Sequence, residues 1–340
     1  MLNIGIIGAG RIGRVHCECV ARHVPQAKVM ALADPLADNS LRAFAANMGI
    51  PAVYEDYMRI VGDPDIGAVL ICSPTDTHTR IIVEAARAGK HIFCEKPVDI
   101  DVARIERAAE AVAKAGVTFQ VGFNRRFDNN FKALREAVAS GRIGRPHIIR
   151  ITSRDPAPPP LSYIAASGGL FMDMAIHDFD MARFICGSEP AEVYAAGAAL
   201  IDPAIGAAGD VDTAVTTIKF ESGAMAVIDN SRKAAYGYDQ RAEAFGPEGA
   251  VSVSNNTKST AVFSGADGVV AEKPLYFFLE RYMQSYADEI RAFADAAVNG
   301  TPPAVTMGDG LAAVRMALAA ARSLAQNRPV AMSEIAGGIR

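Results

Sequence analysis

The sequence predicts a two-part α/β protein, in which a doubly wound parallel sheet precedes an α+β domain with a large open, mostly antiparallel sheet. Residues 1–122 alternate short apolar runs with longer Ala-rich helical patterns, as parallel strands joined by helices do. After residue 122 the alternation ends, and strand-like segments follow one another with helices grouped elsewhere. The length of 340 residues suits about two domains.

The predicted strands of the first half are short and apolar on both faces, which is typical of strands covered by helices on both sides. They are 3–7, 28–33, 68–72, 91–94 and 118–121, with a further short strand at 51–54. Helical patterns separate them at 11–24, 38–47, 77–89 and 101–115. This alternation predicts right-handed crossovers between parallel strands.

The second half begins with a predicted turn at 141–146, a strand at 147–153, a proline-rich loop and a helix at 170–186. Further strands are predicted at 191–200, 211–220, 224–233, 239–246, 250–254 and 259–263, and closing helices at 278–298 and 308–326. Helices on one face leave the other face of this sheet open. We expect a second copy of the chain to cover it, which predicts a homo-oligomer, either a dimer or a tetramer.

Composition excludes several classes of protein. The 34 basic and 38 acidic residues give a net charge of −4, which excludes a large positive field for nucleic acid or anionic lipid. No apolar run approaches the ~20 residues that span a bilayer, and the N-terminal stretch lacks the basic region of a secretory signal. The five cysteines are scattered without a Cys-x-x-Cys pair, which predicts reduced thiols and a cytoplasmic location.

A glycine motif, GAGRIG at residues 8–13, lies between the first predicted strand and helix. Gly8 permits a tight turn, Gly10 lets a pyrophosphate approach, and Gly13 lets the helix pack on the strand. Asp34 ends the second strand, where a carboxylate binds a ribose diol and repels a 2′-phosphate. This pattern predicts NAD as the cofactor. The predicted contacts of this region are Gly8, Gly10, Arg11, Ile12, Gly13 and Asp34.

Two further loops follow strands at the carboxyl edge of the predicted sheet, where open α/β sheets bind ligands. One is 73–75, and His78 lies a helical turn beyond it; the alternative for His78 is a helix-start residue that faces solvent or backbone. The other is Glu-Lys-Pro at 95–97, from which Lys96 can reach the crevice. The predicted cofactor contacts of these loops are Ser73, Pro74, Thr75, His78, Glu95 and Lys96.

Three titratable residues, Asp173, His177 and Asp180, share one stripe of the predicted helix 170–186. Apolar neighbours on the adjacent stripe indicate a partly buried site. Two alternatives are a metal site, which we do not predict because hydride chemistry needs no metal, and a merely stabilising Asp–His pair. Oxidation of a secondary alcohol requires a base, for which His177 is suited. The Lys96 ammonium can stabilise developing alkoxide charge, while Asp173 can orient the ligand and bias the protonation of His177.

Four motifs together resemble a known family. They are the glycine loop, residues 95–97, residues 121–127 (VGFNRRF) and Asp173-x-x-x-His177. In order and spacing, over most of the chain, they are similar to the glucose–fructose oxidoreductase/inositol dehydrogenase/rhizopine-catabolism (Gfo/Idh/MocA) family, and within it to the inositol 2-dehydrogenases. The resemblance implies a Rossmann domain and a catalytic triad of Lys96, Asp173 and His177, with His177 as base. It also implies tetramers that pair through the open sheet face.

The substrate that the resemblance implies is myo- or scyllo-inositol, oxidised to 2-keto-inositol. The implied substrate contacts are Arg125, Asp155, Tyr238 and Tyr286. Asn124 stands where some inositol enzymes have an apolar residue. We predict that Asn124 contacts the substrate, and because this difference can change which hydroxyls are recognised, the stereoisomer stays open. Tyr236 and Tyr238 alternate with Gly237, which predicts that both point to one side of a strand.

Two other functions stay open at this point. A dehydrogenase of a pyranose sugar would share every catalytic residue, whereas a regulator that binds NAD without turnover would keep only the fold. We expect residues 1–122 to bind NAD and residues 123–307 to bind substrate and mediate oligomerisation. Residues 308–340 are expected to form a helix and tail that pack near the N-terminal domain.

Overall fold

The chain forms two compact units. The computed structural model describes residues 1–335, without the side chains of Ala165 and Ala166. The first unit contains Met1–Phe127 and Met283–Val314, and the second contains Asp128–Tyr282 and 315–335. This outline differs from the predicted segments because the helix that begins at Met283 shares a hydrophobic core with the N-terminal strands. The last five residues of the predicted tail, 336–340, lie outside the described residues, and the roles of the segments stay predictions.

The first unit is built on a six-stranded, fully parallel sheet. Its strands are β1 (Leu2–Ile7), β2 (Ala27–Ala33), β3 (Ala52–Tyr54), β4 (Ala68–Ile71), β5 (His91–Glu95) and β6 (Phe119–Gly122). They are ordered β3-β2-β1-β4-β5-β6, and every neighbouring pair is parallel. The predicted doubly wound sheet is confirmed, with its topological switch point, the usual ligand crevice, between β1 and β4.

Helices connect these strands: α1 (Arg11–His23), α2 (Asn39–Asn47), α3 (Met58–Val61), α4 (Thr75–Arg87) and α5 (Val102–Ala115). Local chemistry defines their ends. Asp38 and Asp101 cap α2 and α5 by accepting hydrogen bonds from the first-turn N–H groups. Gly116 ends α5 in the left-handed conformation, with φ of 67°.

The second unit contains a seven-stranded sheet and a separate hairpin. The sheet strands are β7 (Ile148–Arg154), β8 (Pro190–Ala198), β9 (Thr213–Phe220), β10 (Met225–Ser231), β11 (Asp239–Gly246), β12 (Gly249–Val253) and, at one edge, β15 (Val330–Ala331). Among the described strands of this sheet, β7 and β10 are the one pair that runs parallel. The mostly antiparallel sheet is confirmed, whereas the predicted strand 259–263 is replaced by an exposed hairpin of β13 (Val262–Gly265) and β14 (Gly268–Ala271).

The helices of the rest of the chain are α6 (Asn129–Ala139), α7 (Leu161–Ser167), α8 (Gly169–Asp173), α9 (Ile176–Cys186), α10 (Pro203–Ala207), α11 (Phe278–Arg281), α12 (Met283–Asn299) and α13 (Met307–Gln326). Sequence analysis overlooked α6, although Asp128 signals its start by capping two N–H groups. The boundary between the two units falls within α13, after Val314.

The prediction of one continuous helix over 170–186 is wrong. The chain leaves the helical hydrogen-bond pattern at Met174–Ala175, where the His177 N–H donates to the Met174 carbonyl three residues back. Asp173 therefore ends α8, while His177 and Asp180 belong to α9. The three residues do not share a single helix stripe.

The seven-stranded sheet has one buried and one exposed face. Along β9, Ala214, Thr216 and Ile218 are buried, whereas the alternate residues Val215 and Thr217 are exposed. The predicted open face is therefore present in this unit. Within residues 1–335, we find no helix with both the length and the apolar character required to cross a membrane.

Candidate cofactor and active site

The glycine loop meets the three requirements of a dinucleotide-binding turn, which are close backbone contacts at Gly8 and Gly13 and open space at Gly10. A Cβ atom on Gly8, whose φ is +91°, would lie 2.4 Å from the Ser73 nitrogen, and one on Gly13 would lie 2.0 Å from the Gly8 oxygen. At Gly10 a Cβ would meet nothing within 4 Å, so this position opens to the space that a pyrophosphate would fill. The N-terminus of α1 has no side-chain cap and no acidic residue in its first turn, where Arg11 and Ile12 lie, so its N–H groups suit an anion.

Asp34 lies at the end of β2, beside this loop. Its Oδ2 accepts a hydrogen bond from the Ala9 N–H at 2.8 Å, and its Oδ1 accepts one from the Leu36 N–H at 2.9 Å. Each carboxylate oxygen has a second lone pair, which leaves capacity for a ribose diol. The loop and Asp34 together fit NAD.

His78 links the two other predicted cofactor loops. Its Nε2 lies 2.7 Å from the Ser73 carbonyl oxygen and its Nδ1 lies 2.9 Å from the Pro97 carbonyl oxygen. The imidazole is buried, and this burial lowers the pKa of His78 despite the two carbonyls. His78 therefore contacts backbone, as the alternative foresaw. As a neutral imidazole it donates its one N–H to a single carbonyl and lies against the other, so it can act on a cofactor by holding loops 73–75 and 95–97 together.

Replacing His78 with leucine should loosen both loops. Because an ordinary hydrogen bond contributes about 1 kcal/mol, we expect the KM for NAD to rise about fivefold, with a smaller fall in kcat. Initial rates at varied NAD concentration measure this. His23→Leu, an exposed histidine at the end of α1, is the matched control. An unchanged KM for NAD would show that the contacts of His78 with the two loops do not support cofactor binding.

The second unit holds the Asp173 carboxylate from two sides. The Tyr163 hydroxyl donates to its Oδ1 at 2.9 Å, and Arg232 Nη1 lies 3.4 Å from its Oδ2. Arg232 is 1% exposed and also lies 3.9 Å from an oxygen of Asp210. Asp173 and His177 are both half-buried, so they remain accessible to a ligand.

Tyr163 and Arg232 are not among the residues that the sequence predicts for the site. Arg232 follows the buried core of β10 directly, and a basic residue at that point is the one signal in the sequence that could have indicated it. Tyr163 carries no comparable signal.

The predicted substrate residues lie in both units. In the first unit, Asn124 and Arg125 are buried in a 3₁₀ turn, and Tyr286 on α12 packs edge-on against the His16 ring at 5.6 Å. In the second unit, the Asp155 N–H donates to the Ser231 carbonyl at 2.9 Å and the Asp155 carbonyl accepts from the Ala234 N–H at 2.7 Å. Tyr238 packs against the Tyr282 ring at 5.9 Å.

The prediction that Tyr236 and Tyr238 share one strand face is wrong. Both precede β11, and Gly237 adopts a φ of 126°, so the chain turns between them. Tyr238 is buried, whereas Tyr236 is exposed and donates to Asp239. Although burial alone would raise the pKa of Asp239, hydrogen bonds from Arg241, Tyr236 and Asn255 hold it below its ordinary value.

Comparison with known families agrees with this geometry. Residues 2–123 match a family described as "Oxidoreductase family, NAD-binding Rossmann fold", and residues 131–252 match the "GFO/IDH/MocA C-terminal domain". This chain belongs to the GFO/IDH/MocA oxidoreductase family. The predicted family, the NAD cofactor and the NAD-dependent oxidoreductase class are therefore confirmed.

Relatives of this oxidoreductase include two curated enzymes and a solved structure. The chain is 48% identical to the myo-inositol 2-dehydrogenase of Thermotoga maritima, over 99% of this chain and 100% of the relative. It is 45% identical to the inositol 2-dehydrogenase of Rhizobium meliloti, over 98% and 99%. The scyllo-inositol dehydrogenase of Lactobacillus casei, solved with NAD(H) and scyllo-inositol, superposes with a TM-score of 0.90 at 32% identity, over 98% and 99%.

Asp34 should set the preference of this oxidoreductase for NAD. The double variant Asp34→Ser/Pro35→Arg removes the carboxylate that repels a 2′-phosphate and adds a cation that binds it. We expect the NADP/NAD ratio of kcat/KM to rise about a hundredfold, which corresponds to about 2.7 kcal/mol. Steady-state rates with each cofactor measure the ratio, with the exposed Asp65→Ser as control. An unchanged ratio would mean that Asp34 does not contact the ribose.

Proposed function

We propose that this oxidoreductase oxidises a secondary hydroxyl of a cyclic polyol, myo- or scyllo-inositol, to the 2-keto compound with NAD. The observation that carries this proposal is the Asp173–His177 pair, which stays half-buried while Tyr163 and Arg232 hold the carboxylate. The names of the relatives from Thermotoga and Rhizobium support an inositol as the substrate.

The reaction removes a proton from the hydroxyl oxygen and a hydride from the carbon. NAD, when bound, supplies the acceptor of the hydride. His177 takes the hydroxyl proton as general base. The Lys96 ammonium stabilises the charge that develops on the oxygen, and Asp173 accepts a hydrogen bond from a neighbouring hydroxyl. Lys96 belongs to the first unit, and Asp173 and His177 belong to the second.

Polyol recognition requires several donors and acceptors, and the proposed contacts supply both. The Asn124 amide nitrogen is buried and has no hydrogen-bond partner among the described residues, which leaves it able to donate to a hydroxyl. Arg125 adds donors, Asp155 adds acceptors, and Tyr238 and Tyr286 add ring faces with a hydroxyl each.

The test is NADH formation by the purified chain with myo-inositol, scyllo-inositol and D-glucose, each with NAD or NADP. We expect turnover of an inositol with NAD. Turnover of glucose alone would replace the proposal with a pyranose dehydrogenase. NAD binding without turnover of any polyol would indicate a regulator.

We also propose that the enzyme works as a homo-oligomer, a dimer or tetramer, paired through the exposed face of the seven-stranded sheet. That face carries exposed apolar side chains on three strands, β9, β10 and β11, among them Val215, Met225, Val227 and Phe245. Light scattering coupled to gel filtration should give a mass of two or four chains. A monomer at micromolar concentration would contradict this proposal.

A cytoplasmic location is the remaining part of the proposal. All five cysteines are free thiols, and burial raises the pKa of Cys17 and Cys19 to about 12. Such thiols stay protonated and unreactive, as suits a reducing compartment.

A further inference from the structure

A buried cluster of three titratable side chains lies next to Lys96 in the first unit. His16 comes from α1, Glu95 from the end of β5, and Glu289 from α12. One nitrogen or oxygen atom from each lies within 4.8 Å of the others. His16 and Glu289 are fully buried and Glu95 is 8% exposed. The proposed chemistry does not use His16 or Glu289.

The hydrogen bonds within the cluster are unequal. Glu95 Oε1 lies 2.6 Å from His16 Nε2, and its Oε2 lies 3.3 Å from the Lys96 backbone N–H. Neither carboxyl oxygen of Glu289 has a hydrogen-bond partner among the described residues. Two ionised carboxylates in one buried space, one of them without any donor, would be strongly unfavourable, so a proton or a cation must neutralise one of them.

The short contact between His16 and Glu95 favours a proton over a metal ion. Two ligand atoms at about 2.1 Å from a tetrahedral metal stand about 3.4 Å apart, whereas a charge-assisted hydrogen bond spans about 2.7 Å. The observed 2.6 Å therefore matches an N–H donated by His16 to an ionised Glu95. Burial is the main cause, and the negative charge of Glu95 the second cause, of a Glu289 pKa well above its ordinary value. This direction agrees with a neutral Glu289.

We propose that His16, Glu95 and Glu289 form a buried cluster that positions Lys96. The cluster holds one negative charge, on Glu95 next to Lys96, while Glu289 carries a proton. Glu95 fixes the backbone from which the Lys96 side chain extends. His16 connects Glu95 to the helix of the glycine loop and packs edge-on against the Phe93 ring at 5.2 Å. The cluster of His16, Glu95 and Glu289 thereby couples the loop that holds Lys96 to α1 and to α12.

Other titratable groups face the cluster. The thiols of Cys19, Cys72 and Cys94 interact with its carboxyl groups, and their pKa values are raised mainly by burial. Being neutral, they offer no positive charge that could offset a second carboxylate.

Infrared spectroscopy tests the protonation directly. At neutral pH, the wild-type spectrum should contain the carbonyl stretch of a buried neutral carboxylic acid. Glu289→Gln should lose this band, whereas Glu95→Gln and the exposed control Glu110→Gln should keep it. Should Glu289→Gln not fold, titration of the wild type decides, because the band should persist well above the pH at which an ordinary glutamate ionises. Absence of the band, or its persistence in folded Glu289→Gln, overturns the proposal. So does one tightly bound divalent metal per chain, measured by mass spectrometry.

Thermal denaturation gives an independent test with a definite sign. An unfolded Glu289 loses its proton above its ordinary pKa of 4.5, whereas the folded one retains it, so wild-type stability falls as pH rises above 4.5. Glu289→Gln lacks this penalty. The Tm of Glu289→Gln minus that of wild type should therefore grow by about 3 °C per pH unit from about pH 5. A pH-independent difference overturns the protonation.

The positioning role rests on the proposed function of Lys96, and the pH profile of kcat tests it. Glu95→Gln should move the alkaline limb of this profile about half a pH unit lower, because the negative charge that favours the Lys96 ammonium is lost. Glu289→Gln should leave the profile in place because one neutral group replaces another. A shift in Glu289→Gln, or none in Glu95→Gln, overturns the role. The infrared, metal and denaturation measurements need no substrate, so they decide the protonation even if the chain oxidises no inositol.

Discussion

Replacement of His177 with asparagine is expected to lower kcat for inositol oxidation by about a hundredfold or more. Asparagine keeps a polar side chain at the start of α9 but cannot accept the hydroxyl proton, and the loss of a general base has this magnitude. Lys96→Met should cause a loss of similar size, since it removes the positive charge that stabilises the developing alkoxide. Both effects are measured as initial rates of NADH formation at saturating NAD and inositol.

The controls separate chemistry from folding and binding. His147→Asn and Lys114→Met change exposed residues of the same types and should retain wild-type kcat. NADH fluorescence titrations should show that His177→Asn binds the cofactor with wild-type affinity. Wild-type turnover by either His177→Asn or Lys96→Met would remove that residue from the mechanism.

Replacement of Arg232 with methionine is expected to destabilise the second unit by about 3 kcal/mol. Methionine fills the buried space but leaves the carboxylates of Asp173 and Asp210 without their shared cation, and the loss of one partner of a buried ion pair is costly. The Tm should fall by about 6–12 °C. Because Arg232 also holds Asp173, we expect the KM for inositol to rise in the protein that remains folded.

Arg150→Met provides the matched comparison. Arg150 is exposed and its contact with Glu243 is 3.4 Å long, so its removal should cost less than about 1 kcal/mol. The double variant Arg232→Met/Asp173→Asn should recover part of the lost stability, because it also neutralises a carboxylate that has lost its buried cation. An equal loss of stability in Arg150→Met and Arg232→Met would contradict the importance of the buried pair.

Features that depend on residues close together in the chain were predicted more accurately than features that depend on the path of the backbone. The helix over 170–186 was predicted as continuous because its apolar spacing is regular, and spacing does not show where the backbone leaves the helical pattern. Alternation across Gly237 predicts that Tyr236 and Tyr238 share one face of a strand, whereas the positive φ of Gly237 turns the chain between them. The N-terminal strands were predicted to within about a residue, since parallel strands buried on both faces are dense apolar runs.

The sequence by itself determined the parallel sheet, the glycine loop and the place of Asp34, because each depends on residues close together in the chain or on the periodicity of one element. Only the tertiary structure decided which groups surround the titratable residues. Arg232 contacts Asp173 from 59 positions away, and Glu289 on α12 lies beside Glu95 although most of the second sheet separates them in the chain. Such contacts depend on strand order and helix packing, and no local pattern encodes the partner that a buried charge will meet.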